Sequence, residues 1–362
     1  MKVLFIGGTG TISAAISRRV LRLGWDLYLL NRGNRNRDLA EEPFRGAAGD
    51  GELPPASGKL VEIACDINAE SEKEIASKLS GVLDAGERFD AAADFIAFTL
   101  PQVERDYRLL EGLVKQYIFI SSASAYQKPL SSCFVTEGTP LANPYWEYSR
   151  NKIACEDFLA AKYRESAFPV TIVRPAHTYD ERSVPLGIHG KNGSWQVLKR
   201  MLDGKPVIIH GDGESLWTMT ANYDFAKAFT GLTGNIHAIG EAVQITSGET
   251  VTWNQIYAAI ADALGVPLKA VHISSEFLSA AGHWDFTGSI IGDKANSVVF
   301  DNTKLKRLVP GFTASVRFDA GVKEAVKYIL AHRECRVEDP EFDAWCDRVI
   351  AARERALDEL RR

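Results

Sequence analysis

Lys2–Ser13 reads KVLFIGGTGTIS, and its reading decides the fold. Val3 to Ile6 are apolar and β-favouring, which predicts a short buried strand. Gly7, Gly8 and Gly10 then give a turn where backbone can approach a ligand closely. From Thr11 the pattern turns helical, with Ile12, Ala15, Ile16, Val20 and Leu21 on one face. Strand, glycine turn and helix form the phosphate-binding start of a doubly wound α/β domain. Free N–H groups at the helix start favour a pyrophosphate there. Ser13 stands where a third glycine is usual and is small enough to sit against the strand.

The same alternation continues along the chain. Strands are expected at Asp26–Leu30, Leu60–Cys65, Phe89–Phe98, Tyr117–Ser121 and Val170–Val173, with helical patterns between most of them. Such alternation predicts a parallel sheet covered on both faces, with ligands at the carboxyl ends of its strands. Gly33 to Gly58 is polar and rich in glycine and proline, a long loop. After Pro175 short strands at Val207–His210 and Val243–Thr246 mix with helices near Trp195–Leu202 and Trp253–Leu264. The expected organisation is a dinucleotide-binding domain over 1–180, with 218–250 returning to it. A smaller, interleaved α/β substrate lobe takes 181–217 and 251–334. Residues 335–362 form a C-terminal helix with Asp339 as cap, Pro340 in the first turn and Phe342, Trp345, Cys346, Val349 and Ile350 on one face.

The 362 residues are 46% hydrophobic and 25% charged with a net charge of −5, which does not favour a nucleic-acid or anionic-membrane surface. No apolar run approaches the roughly 18 residues that span a bilayer. The N-terminus lacks the pattern of a signal peptide, so a cytoplasmic setting is expected. Five scattered cysteines without a C-x-x-C pair read as reduced thiols. Histidine spacing gives no expectation of a metal site.

At the nucleotide end, an acidic residue after the second strand usually holds the ribose hydroxyls. Here Asn31 and Arg32 take that place, with Arg35 and Arg37 nearby. Asparagine removes the charge that would repel a 2′-phosphate, and arginine offers a fork that holds one, a leaning to NADP over NAD. The arginines equally suit an exposed loop. Asp66 and Ile67 are placed to bracket the adenine, and Phe95, Ile96 and Ala97 to lie alongside it; each also suits an ordinary core or turn position.

At the chemical end, Ser121 and Ser122 close the strand YIFISS, and Tyr148 precedes Lys152 by one helical turn. Tyr223 and Lys227 repeat that spacing and are read as structural. A tyrosine pKa of about 10 is too high for a base near neutrality. A lysine ammonium and a positive nicotinamide ring would both favour the phenolate. Tyr148 would then exchange a proton with a substrate oxygen that Ser122 also holds, while hydride moves at the adjoining carbon.

With these pieces quoted, the chain resembles the extended short-chain dehydrogenase/reductase family, in its NAD-dependent epimerase/dehydratase branch. The likeness is carried by GGTGTIS, the pair Asp66-Ile67, SSASAY from Ser121, YSRNK from Tyr148, RPAHTYD from Arg174 and GDGESLWTMTANYDFA from Gly211. It implies a Rossmann domain, Ser122, Tyr148 and Lys152 as the catalytic set, and Gly7, Gly10, Thr11, Ile12, Asn31, Arg32, Asp66, Ile67, Phe95, Ile96, Ala97, Tyr148, Lys152 and Pro175 around NAD(P). His177 falls where family members often contact substrate, though a structural histidine fits equally. Ala123 replaces the acid that dehydratases carry after the catalytic residue, which argues against dehydration. Trp217 replaces the arginine that holds a nucleotide-sugar diphosphate; it would stack on a sugar or aromatic ring instead. The expected activity is epimerisation or oxidoreduction at a hydroxyl or carbonyl carbon of a sugar-like substrate, a nucleotide-sugar among the candidates. The alternatives are an NADP-dependent carbonyl reductase of a non-sugar substrate, and a non-catalytic cofactor-binding regulator or RNA-binding relative. The resemblance also implies a homodimer through the tyrosine-bearing helix, with Ile153, Phe158 and Leu159 as its apolar surface.

Overall fold

The computed structural model describes residues 1–36, 39 and 55–362. Arg37 and most of the loop expected at Gly33–Gly58 lie outside the described residues.

Seven strands form one parallel sheet: β1 (Lys2–Ile6), β2 (Asp26–Asn31), β3 (Leu60–Ala64), β4 (Ala91–Asp94), β5 (Tyr117–Ile120), β6 (Val170–Pro175) and β7 (Ala242–Ile245). Their order is β7-β6-β5-β4-β1-β2-β3. The order reverses between β1 and β4, which opens a crevice at the carboxyl edge beside the glycine turn.

The period of two in β1 explains the layering. Val3 and Phe5 face one side and pack with Ile16 and Val20 of α1 (Ser13–Arg22). Leu4 and Ile6 face the other. They share a core with Ile75 and Leu79 of α2 (Glu72–Ser80), Val103 and Leu110 of α3 (Leu100–Leu110), and Cys155 and Leu159 of α4 (Glu147–Ser166). Both faces are therefore dry, as a parallel sheet requires.

β4 is shorter than the expected Phe89–Phe98. The Asp94 carboxylate accepts hydrogen bonds from the N–H groups of Ile96 and Ala97, at 2.6 and 2.9 Å. That turn takes Phe95 to Phe98 out of the ladder at the mouth of the crevice.

After β6 the chain builds a second core. Helices α5 (Trp195–Leu202) and Trp253–Leu264 bury Leu198, Met201, Trp253, Ile256 and Tyr257. Between them α6 (Asn222–Leu232) crosses back onto α1, and β7 follows it into the sheet. The C-terminal helix Pro340–Leu360 starts at Asp339, whose carboxylate accepts from Phe342 N–H at 3.2 Å. It buries Phe342, Trp345, Cys346 and Val349 in the second core, and its Asp343 and Asp347 bind the buried Arg200 at 2.7 and 2.8 Å. No helix among the described residues is long and apolar enough to cross a membrane.

Candidate active site

The ends of β1 to β5 line the crevice. From β1, Gly7 and Gly8 both carry positive φ, +95° and +99°, where an L side chain is strained. Space excludes one as well: a Cβ on Gly8 would stand 2.2 Å from Leu29 Cδ1, and one on Gly7 3.1 Å from Ile96 Cγ2. Gly10 differs. Its φ is ordinary and a Cβ there would meet only Ser13 Oγ, at 3.5 Å, so its bareness matters to whatever lies outside. Ser17 Oγ donates to Gly8 O at 2.8 Å and Asn222 Nδ2 to Thr11 O at 3.1 Å, which fixes the turn from both flanks. Thr11 and Ile12 then open α1, which has no side-chain cap and no acidic residue in its first turn. A helix start with no side-chain cap and no acidic residue in its own first turn, behind a bare glycine turn, suits a pyrophosphate.

From β2, Asn31 spends its amide on the turn: Nδ2 donates to Asn36 Oδ1 at 2.7 Å and to Gly7 O at 3.3 Å, and Oδ1 accepts from Gly33 N–H at 2.8 Å. Arg32 and Arg35 beside it are exposed. Among the described residues that end and follow this strand, 31–36, none carries a carboxylate. From β3, Asp66 Oδ1 accepts from Asn68 N–H at 3.1 Å, while Ile67 turns into the core. Ile67 keeps its side chain inward, and its carbonyl accepts from Arg105 Nη1 at 3.0 Å.

From β4, Ala97 is buried and Ile96 half-buried against Gly7; Phe95 packs edge-on to Phe5 at 5.2 Å. The Ala97 carbonyl accepts from Lys152 Nζ at 2.7 Å, and the Ile120 carbonyl of β5 from the same ammonium at 2.6 Å. An ammonium has three donors, so one remains for a ligand. Lys152 lies between the rings of Phe98 and Phe119, at 4.7 and 4.8 Å. Burial pulls its pKa down to about 8.

Beyond β5 the serines sort themselves by partner. Ser121 is buried and donates to Glu156, which is forked to Arg174 at 2.6 Å. Ser149 Oγ donates to Ser124 Oγ at 2.8 Å, and Ser124 Oγ lies 2.9 Å from Ser122 Oγ. Ser122 faces the Tyr148 hydroxyl and favours its phenolate. The three hydroxyls form a polarised row that ends at Tyr148. Lys152 Nζ is 5.8 Å from the centre of the Tyr148 ring.

The lowered Tyr148 pKa expected from sequence needs the positive nicotinamide ring as well as the lysine. In the chain alone burial raises it, with a smaller push in the same direction from Asp293, and the serine only partly opposes them. In the chain alone the phenol keeps its proton.

The substrate side also departs from expectation. His177 is half-buried, edge-on to Trp253 at 6.5 Å. Burial first, then the charges of Lys294 and His189, push its pKa down to about 3, so it is neutral. Trp217 is only 3% exposed, and its Nε1 donates to Lys294 O at 3.1 Å. It has no open face for stacking; it fixes the π-helical segment Thr287–Lys294 instead. Gly288 of that segment has no room for a Cβ, which would stand 2.3 Å from Trp146. Pro175 ends β6 buried. Tyr223 and Lys227 stand apart, Lys227 Nζ being held by Asp224 at 3.0 Å and Ser315 at 2.7 Å.

Sequence reading missed Asp94, Lys128, Asp293 and Lys294. Asp94 carried a signal: one carboxyl inside the apolar run AAADFIA. The other three sit in loops and in an irregular helix, where no period marks them. Among the described residues no three histidine, cysteine or acidic side chains gather as a metal site.

Comparison with known proteins agrees with this geometry. A model of the NAD dependent epimerase/dehydratase family matches residues 3–245. A 2′-dehydrokanamycin reductase of Streptomyces kanamyceticus is 24% identical over 354 residues, 95% of this chain and 88% of that protein. A chloroplast stem-loop binding protein of 41 kDa from Arabidopsis thaliana is 27% identical over 74% of this chain and 64% of its own. The solved UDP-glucose 4-epimerase of Bifidobacterium longum, in complex with NAD+ and UDP, superposes with a TM-score of 0.69 over 92% of this chain and all of that one, at 15% identity. The glycine turn, the reversing sheet and the match over two-thirds of the chain lead to one conclusion: this protein belongs to the NAD-dependent epimerase/dehydratase family and is an enzyme of the epimerase/oxidoreductase type.

Proposed function

We propose that the chain reduces a carbonyl carbon on a sugar-like substrate, with Tyr148 as proton donor, Ser122 and Tyr148 both holding the reacting oxygen, and Lys152 holding the coenzyme ribose. When bound, the dinucleotide supplies the hydride and, once oxidised, a positive ring. Gly7, Gly10, Thr11 and Ile12 would face its pyrophosphate, Phe95, Ile96 and Ala97 would lie alongside its adenine, and Pro175 would border its nicotinamide.

The observation that carries this reading is the row of Ser149, Ser124 and Ser122 hydroxyls that ends at the half-buried Tyr148 phenol. A carbonyl that receives hydride becomes an alkoxide and needs a proton at once. A tyrosine that keeps its proton, beside a serine donor, meets that need. The missing carboxylate at the end of β2, with Arg32 beside Asn31, supports NADP as the coenzyme. The buried Trp217, in place of a diphosphate-binding arginine, supports a substrate without a nucleotide. The relative from Streptomyces, named for reduction of a keto-aminoglycoside, is similar over nearly the whole chain.

The second reading is epimerisation, in which hydride returns to the other face of the same carbon. One experiment separates them. The purified chain is incubated with NADPH and 2′-dehydrokanamycin, and separately with UDP-glucose without added coenzyme. NADPH consumption supports the reductase; UDP-galactose formation with co-purified NAD supports the epimerase. Failure of both, with salt-sensitive RNA binding, would favour a non-catalytic relative.

A cytoplasmic homodimer through α4 belongs to the same reading. Ile153 and Phe158 keep some exposure for it, whereas Leu159 is wholly buried within the monomer and adds no surface. Light scattering that gives a monomer would remove the dimer.

A further inference from the structure

Asp94 closes β4 with a side chain wholly out of solvent. Its Oδ1 accepts from the N–H groups of Ile96 and Ala97. The carbonyl of that same Ala97 accepts from Lys152 Nζ. Two hydrogen bonds and one residue of backbone thus join a buried carboxyl to the lysine of the site.

Behind this turn lies a cluster that the chemistry does not use. Asp94 Oδ2 has no hydrogen-bond donor among the described residues, and Arg105 Nη2 stands 3.8 Å away. The guanidinium commits itself to Asp106, Nε at 3.2 Å and Nη2 at 2.9 Å. Asp106, also wholly buried, accepts from the Tyr117 hydroxyl at 2.9 Å. Arg105 Nη1 then reaches the far loop, donating to Ile67 O at 3.0 Å and Asn68 Oδ1 at 3.1 Å.

We propose that Asp94 is a positioning residue for the coenzyme site: its carboxyl fixes the 95–97 turn that presents Ala97 O to Lys152, and Arg105 ties that turn to the loop of Ile67, so one buried cluster sets both ends of the site. The proposal rests on the reading of Lys152 as the coenzyme's ligand.

The charge state follows from the neighbours. Asp106 and Arg105 face Asp94 from α3, Tyr117 from β5, and Lys152 and Cys155 approach from α4. Two buried carboxyl groups face one guanidinium, which binds Asp106 and leaves Asp94 without a close counter-charge. Burial and the Asp106 charge push the Asp94 pKa well above the carboxylate range. Asp94 therefore holds the proton, and its otherwise unpartnered oxygen becomes a donor toward Asp106. An asparagine reproduces both functions: Oδ1 accepts the two N–H groups and Nδ2 donates to Asp106. An alanine reproduces neither.

The test uses the full chain and NADPH as probe, with binding read by fluorescence and local order by amide hydrogen exchange. Asp94→Ala is expected to weaken NADPH by about tenfold or more and to speed exchange at 95–98 and 66–68. Asp94→Asn is expected to stay within about threefold of native affinity, with exchange unchanged, because its bonding pattern matches. Arg105→Met, at a side chain that keeps some solvent contact, cuts the bridge alone and is expected to weaken NADPH and loosen 66–68. It decides the matter with Asp94→Asn if the alanine variant does not fold. Lys152→Met is measured beside them. If it loses NADPH affinity while Asp94→Ala and Arg105→Met bind normally, the positioning role is wrong and the coenzyme reading stands. If Lys152→Met also binds normally, the coenzyme reading itself is wrong. An Asp94→Asn variant as weak as Asp94→Ala overturns the proposal too, since negative charge rather than bonding pattern would then be what the site needs.

Discussion

At the scale of single residues, the site is governed by two groups that burial drives toward neutrality. Lys152 comes down to about 8 and Tyr148 goes up, both chiefly by desolvation. Two outcomes follow from this. Tyr148→Phe should lower turnover by about 10²–10⁴-fold, the usual worth of a positioned proton donor, with NADPH affinity kept. Full turnover in that variant would end the proposed chemistry. The lysine gives a pH signature. Its ammonium is the donor form, so NADPH affinity should hold steady to about pH 7.5 and fall by about tenfold near pH 9, a decade per unit above its pKa. Lys152→Arg keeps its charge throughout, and its profile should be flat whatever its absolute affinity. A native profile that is flat to pH 9 would mean the lysine does not touch the coenzyme.

At the scale of elements, the glycine turn separates two reasons for having no side chain. Gly8 is needed by the fold: positive φ and a Leu29 methyl in the way. Gly10 has ordinary φ and open space, so the fold does not require its bareness, and the proposed pyrophosphate does. Gly8→Ala should cost about 1–3 kcal/mol of stability, from backbone strain and overpacking. Gly10→Ala should leave the melting temperature within about 2 °C and weaken NADPH by about tenfold, since one methyl occupies the approach to the helix start. Thermal melts beside NADPH titrations check both, and a Gly10→Ala variant with native affinity would move the pyrophosphate elsewhere. This element was legible in the sequence because its signal is local: four apolar residues, three glycines and a helical period. The sheet strands were legible for the same reason. The end of β4 was not, because Phe89 to Phe98 is apolar enough to read as one strand, and only the capture of two N–H groups by Asp94 stops it. Trp217 failed differently. Its place along the chain was read correctly, but burial is settled by Lys294, some eighty residues away, whose carbonyl also accepts from Trp253 Nε1 at 3.1 Å. A sequence offers no sign of such a meeting.

At the scale of the whole molecule, the second lobe stands on buried groups that must stay uncharged, and this gives stability a dependence on acid. His210 is 1% exposed, edge-on to Trp253 at 5.0 Å, with Nε2 at 3.3 Å from Lys294 O. Gly187 closes over its other nitrogen: a Cβ there would lie 2.5 Å from Nδ1. Burial pushes the His210 pKa down to about 4. The unfolded chain, with a histidine pKa of about 6.5, therefore binds more protons between these values. Its contribution to stability is complete above about pH 6.5 and is lost as pH falls toward 4. From pH 7 to pH 5 the loss from this one residue is about 2 kcal/mol. His177 acts in the same direction, though its partial exposure to the crevice weakens it. Buried carboxyls oppose them. Asp180, pushed up to about 6 by burial and by Glu181, and Asp94 and Asp293, also raised, bind more protons in the folded chain and gain stability as pH falls. The native pH trend alone is thus a sum of opposed contributions. The difference between native chain and His210→Asn isolates the histidine, because the carboxyls are common to both. Urea unfolding at pH 7 and pH 5 should show the native chain losing about 2 kcal/mol more than the variant over that interval. Equal losses would mean that His210 already carries a proton in the folded state. The Lys294 carbonyl would then gather the tryptophans around a cation, and the neutrality on which this lobe's packing is argued would have to be abandoned.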